Sequence, residues 1–173
     1  MKRLTLPIDQ NEINNLHVGE EVLLSGRIYT ARDAAHARMQ TALEGGQELP
    51  FEIESACIYY AGPTPAPPGE IIGACGPTTS SRMDAYAPAL YDLGLGCVIG
   101  KGPVGDAVKQ AILRNNAVYF AATGGAGALI AKSVLSLKEI AYSDLGPESV
   151  KALEVKDMPV IVAVVRNENI YNK

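Results

Sequence analysis

The feature that most constrains the fold is a repeated alternation between short apolar segments and segments with helical spacing. EVLLSGRIY is followed by TARDAAHARMQTALEGG, LGCVIGKG by PVGDAVKQAILRNN, and AVYFAA by GALIAKSVL after a TGGAGA turn. Alternating or continuous runs of β-favouring residues indicate strands, whereas apolar residues three or four positions apart indicate helices. Strands that alternate with helices are typical of α/β proteins. The sequence therefore predicts an α/β fold with a mainly parallel central sheet.

The remaining segments predict a layered arrangement around that sheet. FEIESACIYY and EIIGACG are predicted strands, and the proline-rich AGPTPAPPGE between them is predicted to be a rigid, exposed connection. MDAYAPALYDLG is a predicted helix, while LKEIAY and MPVIVAVV are apolar segments of the tail, the second a predicted strand. Residues 1–19 are predicted to be an irregular lead-in. We expect the early and late strands to form a second sheet or ribbon.

The first predicted helix has recognisable boundaries. Thr30 is a predicted N-cap, and Asp33 three residues later completes a capping-box pattern that would satisfy free backbone N–H groups. Gly45 and Gly46 are expected to end the helix, because glycine adopts the backbone conformation of a helix C-terminus without steric cost.

Length and composition favour one compact domain over residues 1–173. Hydrophobic residues make up 47% of the 173 residues and charged residues 20%, which is enough to bury a core. The formal net charge of −4 argues against a general nucleic-acid binder. No apolar run follows Lys2 and Arg3, and no stretch approaches the roughly 20 apolar residues that span a bilayer. We therefore expect a cytoplasmic protein without a membrane or nucleic-acid partner.

The three cysteines predict neither a disulfide framework nor a metal site. Cys57, Cys75 and Cys97 are odd in number, widely spaced and without a CxxC pair. They are expected to be small, reduced, buried residues. Cys75, which precedes an unusual hydroxyl-rich run, also stays open as a nucleophile if a base lies near it.

Chemistry concentrates at the ends of predicted strands. The segments YTARDAAH, GACGPTTSSRMD, GKGPVG and TGGAG each follow a strand, and ligands of α/β proteins gather at such carboxyl ends. Arg32, Arg82 and Lys101 lie in these segments, where guanidinium and ammonium groups suit carboxylate or phosphate recognition. Each could instead be a solvated surface charge. His36 could orient a substrate or be a hydrogen-bonded structural histidine.

Five segments together carry a family resemblance. YTARDAAHAR, GACGPTTSSRMDAY, IGKG, FAATGGAGALIAKSV and VKDMPVIVAV occur in this order over nearly the whole chain. They resemble the β subunit of the class I fumarate hydratase and tartrate dehydratase family, equivalent to the C-terminal domain of its single-chain members. The fold that this resemblance implies is a swivelling β/β/α domain.

The resemblance also implies an activity and its residues. The expected function is that of a hydro-lyase β subunit, with Arg32, Arg82 and Lys101 binding substrate carboxylates and Thr78 as the candidate catalytic base. The implied cofactor is an oxygen-sensitive [4Fe-4S] cluster held by a partner α subunit, so no metal is expected on this chain alone. Ser80 and Ser81 depart from the small residues, such as alanine and glycine, that are frequent at these positions in the family.

The resemblance leaves the substrate and the assembly open. Fumarate hydratase, which interconverts L-malate and fumarate, is favoured by the plain YTARDAAH segment, because tartrate dehydratases tend to carry bulkier residues or cysteine there. L(+)-tartrate dehydratase is the alternative within the family. A non-catalytic, anion-binding regulatory domain is the alternative outside it. An α₂β₂ assembly is implied, and an isolated β chain could form a homodimer.

Overall fold

The computed structural model describes residues 1–122 and 127–172, which form strands, α-helices and two short 3₁₀ helices. The strands are β1 (Lys2–Thr5), β2 (Glu21–Thr30), β3 (Cys57–Tyr59), β4 (Cys97–Gly100), β5 (Val118–Ala121), β6 (Val134–Ala141), β7 (Val150–Val165) and β8 (Glu168–Asn169). The α-helices are α1 (Gln10–Asn14), α2 (Asp33–Glu44), α3 (Ala87–Asp92), α4 (Asp106–Arg114) and α5 (Gly127–Ala131). The 3₁₀ helices are Ser80–Met83 and Ser143–Glu148. None of the helices in these two ranges has the length and apolar character needed to cross a membrane.

The strands form one mixed sheet that closes on itself. β1 to β5 pair in parallel with their neighbours in chain order, and β7 pairs antiparallel with both β5 and β2. Strands β2, β3, β4, β5 and β7 therefore make a closed ring. The outer strands β1 and β6 pair with β2 and β7 respectively. The predicted α/β class is confirmed, but the early and late strands join the central sheet and do not form a second one.

Both faces of the ring are buried, which explains its apolar strands. In β4, Cys97 and Ile99 belong to the core inside the ring, with Tyr59, Phe120 and Leu153. The intervening Val98 belongs to a second core outside the ring, where α2, α3 and α4 pack. A strand covered on both faces is apolar at every position, as parallel strands of α/β proteins usually are.

Two predictions about the chain between residues 1 and 76 are wrong. The lead-in contains β1 and α1, and the EIIGACG segment is not a strand. Its Gly73 folds back on the proline-rich connection, where Gly73 N–H donates to Thr64 O at 3.2 Å and Thr64 N–H donates to Ala74 O at 3.0 Å. The backbone groups that would pair in a sheet are thus used locally.

The predicted capping box of α2 is also wrong. Thr30 is the last residue of β2, and its Oγ1 accepts a hydrogen bond from Lys151 N–H at 3.2 Å. Arg32 is the N-cap residue and gives no side-chain cap, while Glu148 Oε1 accepts from Ala34 N–H at 3.4 Å. A carboxylate from the end of the 3₁₀ helix before β7 therefore caps α2, and its negative charge is favourable beside the N–H groups of a helix N-terminus. The predicted C-cap at Gly45 is confirmed.

Candidate functional site

Three adjoining strand ends bring the predicted site segments together. Beyond β2, Ala31 N–H donates to Tyr59 O at 3.0 Å, which sets Arg32 beside the end of β3. Thr78 N–H donates to Tyr60 O at 2.8 Å, so the hydroxyl-rich run lies against the residue that follows β3. Thr79 in turn bridges to Lys101 in parallel, at the end of β4. Arg32 and Lys101 thus follow β2 and β4, the strands on either side of β3, as the chain pattern predicts. The strand predicted directly before Thr78 is not formed, and Thr78 reaches the site through its hydrogen bond to the residue that follows β3.

Asp33 links the two arginines. Arg82 Nε donates to Asp33 Oδ1 at 3.0 Å, and Arg32 Nη2 lies 3.6 Å from Asp33 Oδ2. The carboxylate therefore lies between two guanidinium groups that are separated by 50 positions in the chain. Together with Lys101, these groups leave an excess of positive charge at the strand ends, which suits an anionic ligand.

The Arg32 side chain has an unsatisfied donor. Its Nε is buried without a hydrogen-bond partner among the described residues, and lies 3.8 Å from Glu148 Oε1. Gly62 gives the side chain room, since a Cβ there would lie 3.1 Å from Arg32 Cδ. A buried N–H without an acceptor costs free energy, so such groups usually have a structural or functional explanation.

Lys101 and Ser80 are joined by two hydrogen bonds. Ser80 N–H donates to Lys101 O at 2.9 Å, and Lys101 N–H donates to Ser80 Oγ at 3.0 Å. The Lys101 side chain extends from this pair into solvent, and Arg82 is also more than half exposed. Thr78 is half-buried two residues before Ser80. The site is consequently an open surface with solvent on one side.

His36 lies behind Arg32 and away from solvent. Its side chain is 1% exposed, and Nδ1 lies 2.8 Å from Arg32 O, to which it must donate because a carbonyl can only accept. Burial lowers the pKa of His36 to about 4, which keeps the imidazole neutral. Its other nitrogen, Nε2, is buried without a partner in the described part of the chain. Of the two interpretations from sequence, the structure favours the structural histidine.

The cysteines are buried, and two of them are neighbours. Cys57 and Cys97 lie opposite each other on β3 and β4 inside the ring, and Cys75 is fully buried in the same core. Burial raises the pKa of the Cys75 thiol to about 12, so it is protonated at neutral pH. A buried, protonated thiol is a poor nucleophile, which disfavours the alternative built on Cys75.

Sequence reasoning missed three groups that hold the site residues. The sequence predicts Asp33 as a capping residue, and it carries no signal for Glu148 or for the hydrogen bonds of Ser80. The only sequence signal for these contacts is that Asp33 directly follows Arg32, because the other contacts join distant parts of the chain. Most of the TGGAG turn, residues 123–126, lies outside the described residues.

The fold and the site together define an α/β domain that presents a cationic surface at the ends of parallel strands. A sequence model described as fumarase C-terminus matches residues 2–173, and the chain therefore belongs to that family.

Relatives of known name agree with this membership. The chain is 34% identical to Fumarate hydratase 2 of Leishmania major over 98% of its own length and 31% of that protein. It is 35% identical to the anaerobic class I fumarate hydratase of Escherichia coli over 88% of its length and 28% of that protein. It is 30% identical to L(+)-tartrate dehydratase subunit beta of Escherichia coli over 97% of its length and 85% of that subunit. The chain thus spans less than a third of these fumarate hydratases but most of the tartrate dehydratase subunit.

Proposed function

We propose that this chain is the β subunit of an iron–sulfur-dependent hydro-lyase, fumarate hydratase, which interconverts L-malate and fumarate. The observation that carries the proposal is the cationic surface of Arg32, Arg82 and Lys101 beside Thr78, with both arginines in contact with Asp33. Family membership supports the same class of reaction.

The roles of the residues follow from the chemistry of a dicarboxylate substrate. Two anionic ends must be held so that the reacting carbons lie in one orientation, and guanidinium and ammonium groups do this. The same cations stabilise the additional negative charge that develops when a proton leaves carbon. Thr78 is the proposed base, and nearby cations would lower the cost of an alkoxide at its hydroxyl.

The cysteines of this chain do not fit an iron–sulfur cluster. All three thiols are buried in the core inside the ring, and the described residues contain no group of three His, Cys, Asp or Glu side chains placed to hold a metal ion. The cluster that the family resemblance implies therefore belongs, in this proposal, to the α subunit, where it would act as a Lewis acid.

The open surface supports a site shared with a second chain. Arg82 and Lys101 are exposed, and a substrate held by them would face water on its far side. The name of the E. coli relative, a subunit beta, indicates a partner for that protein, and the fumarate hydratases are much longer than this chain. We propose an α₂β₂ assembly in the cytoplasm, with this chain as one swivelling β/β/α domain and with a β homodimer possible in isolation.

Tartrate dehydratase is the second candidate. The match over 85% of a tartrate dehydratase subunit beta favours it, because that relative has the same extent as this chain. The two substrates differ by one hydroxyl group, which a few pocket residues could distinguish.

Anaerobic co-expression with a candidate α chain tests the proposal. The reconstituted complex is assayed with L-malate, L(+)-tartrate and related hydroxy diacids, and each chain is assayed alone. We expect hydro-lyase activity from the complex only, with L-malate as the preferred substrate. Full activity of this chain alone would contradict the shared site. A stable complex that binds dicarboxylates without turnover would favour the regulatory domain.

A further inference from the structure

We propose that Ser80 and Tyr119 are positioning residues for Lys101: their hydroxyl groups fix the backbone of Lys101 and Gly102 and so direct the lysine toward the substrate. The inference rests on the proposed function for the role of Lys101.

The directions of the hydrogen bonds can be deduced one by one. Tyr119 Oη lies 2.7 Å from Gly102 O, and a carbonyl can only accept, so the phenol donates its single proton there. Ser80 Oγ lies 2.8 Å from Tyr119 Oη and must then donate to it. The serine oxygen remains an acceptor for Lys101 N–H at 3.0 Å. The result is one continuous chain of hydrogen bonds from Lys101 N–H to Gly102 O.

This chain of bonds leaves the lysine backbone little freedom. Ser80 N–H also donates to Lys101 O at 2.9 Å, so both backbone groups of Lys101 and the carbonyl of Gly102 are held by Ser80 and Tyr119. Ser80 is 1% exposed and Tyr119 is fully buried, so water does not compete for these bonds. Burial raises the pKa of Tyr119, so the phenol keeps the proton that it donates.

The two glycines of the GKG motif fit the same arrangement. A Cβ on Gly100 would overlap Ser80 Oγ, so the serine hydroxyl occupies the space that a side chain would take. Gly102 has a φ of +80°, which other residues rarely adopt. Lys101 is thus held between a glycine that admits the Ser80 hydroxyl and a glycine that turns the chain.

A double-mutant cycle in the assembled enzyme tests the inference. We expect Ser80→Ala and Tyr119→Phe each to lower kcat/KM about tenfold, mainly through KM, because the loosened lysine binds one carboxylate less well. In a Lys101→Ala background the same substitutions should change kcat/KM less than twofold, because their effect passes through the lysine. The control is Ser81→Ala, whose side chain is exposed beside Ser80. Equal losses with and without Lys101, or an equal loss in Ser81→Ala, would overturn the inference.

Hydrogen exchange in the isolated chain provides a readout independent of activity. The amide of Lys101 should exchange at least tenfold faster in Ser80→Ala than in the parent, while Ser81→Ala leaves it unchanged. Unaltered exchange in Ser80→Ala would overturn the positioning role. If the parent complex shows no turnover but the exchange result holds, the proposed function fails and the fixed Lys101 backbone stands.

Discussion

Asp33 Oδ1 accepts a hydrogen bond from Arg82 Nε at 3.0 Å, although the two residues belong to different strand ends. The other carboxylate oxygen of Asp33 is buried and lies 3.6 Å from Arg32 Nη2. The carboxylate of Asp33 therefore holds the two guanidinium groups near each other. Its removal should separate them, because no other hydrogen-bond acceptor holds the Arg82 side chain within residues 1–122 and 127–172.

The first prediction concerns this link. Asp33→Ala should lower kcat/KM of the assembled enzyme by about ten- to a hundredfold, mainly through KM, because the arginines lose their common acceptor. The kcat/KM of Asp33→Asn should lie between those of the parent and of Asp33→Ala, since the amide oxygen can still accept a hydrogen bond from Arg82. The control is Asp106→Ala, a carboxylate almost fully exposed and paired only with Lys109 among the described residues. An increased kcat/KM would show instead that Asp33 competes with the substrate.

The second prediction separates the site arginine from a structural one on the same helix. Arg32→Lys should lower kcat/KM about a hundredfold, because an ammonium lacks the planar fork that grips a carboxylate. Arg38 is the control, as its guanidinium is engaged by Asp144 at 2.7 and 2.8 Å and lies over Tyr142. Arg38→Lys should stay within about threefold of the parent. Steady-state kinetics with saturating α chain measures both, and similar losses would argue against a specific role for Arg32.

The third prediction concerns the base. Thr78→Ala should lower kcat about a thousandfold with a modest change in KM, because the hydroxyl acts on the reacting proton and not on substrate affinity. Thr78→Ser retains a hydroxyl and should recover most of the turnover. Pre-steady-state and steady-state rates of malate dehydration provide the comparison. Near-normal turnover in Thr78→Ala would exclude the assigned role.

The fourth prediction concerns the pH dependence of stability. The pKa of His36 falls from its ordinary value of 6.5 to about 4 in the folded chain because of burial. Between these two values the unfolded chain binds a proton that the folded chain does not, so the free energy of unfolding decreases as the pH falls from 6.5 to 4. This group alone contributes about 3 kcal/mol to that decrease.

Urea unfolding of the isolated chain between pH 4 and 7 measures this effect. His36→Gln should flatten the dependence, because it removes the buried imidazole. A slope that survives in His36→Gln would place the proton uptake on other groups.

The elements that the sequence predicts well are those whose local pattern agrees with their burial. Cys97–Gly100 is apolar on both faces and is a strand with core on both sides, while α2 ends at its glycines. EIIGACG has the same apolar character, but Gly73 packs against Thr64 and the segment leaves the sheet. Hydrophobicity specifies that such a segment is buried and does not specify its backbone partner.

The contacts that organise the site could not be predicted from local sequence patterns, because they join residues that are far apart in the chain. The segments carrying Arg32 and Lys101 could be placed at strand ends, because parallel strands direct their carboxyl ends to one side. The strand predicted before Thr78 is not formed. Asp33 was assigned to a cap from its spacing to Thr30, yet Thr30 belongs to β2 and Glu148 supplies the cap. Glu148, Ser80 and Tyr119 reach the site through tertiary contacts that no periodicity encodes. The roles of the four predicted site residues remain predictions.

The closure of the ring by β7 has a consequence for how the chain is made. β7 follows every other strand of the ring, and pairs such as Ile28 with Leu153 join residues far apart in the chain. While the ribosome is still synthesising the segments before β7, the edges of β2 and β5 that β7 later covers have no partner. Unpaired strand edges favour association with other chains. We therefore expect folding to be completed only after β7 has emerged, and nascent chains that stall before it to depend on chaperones.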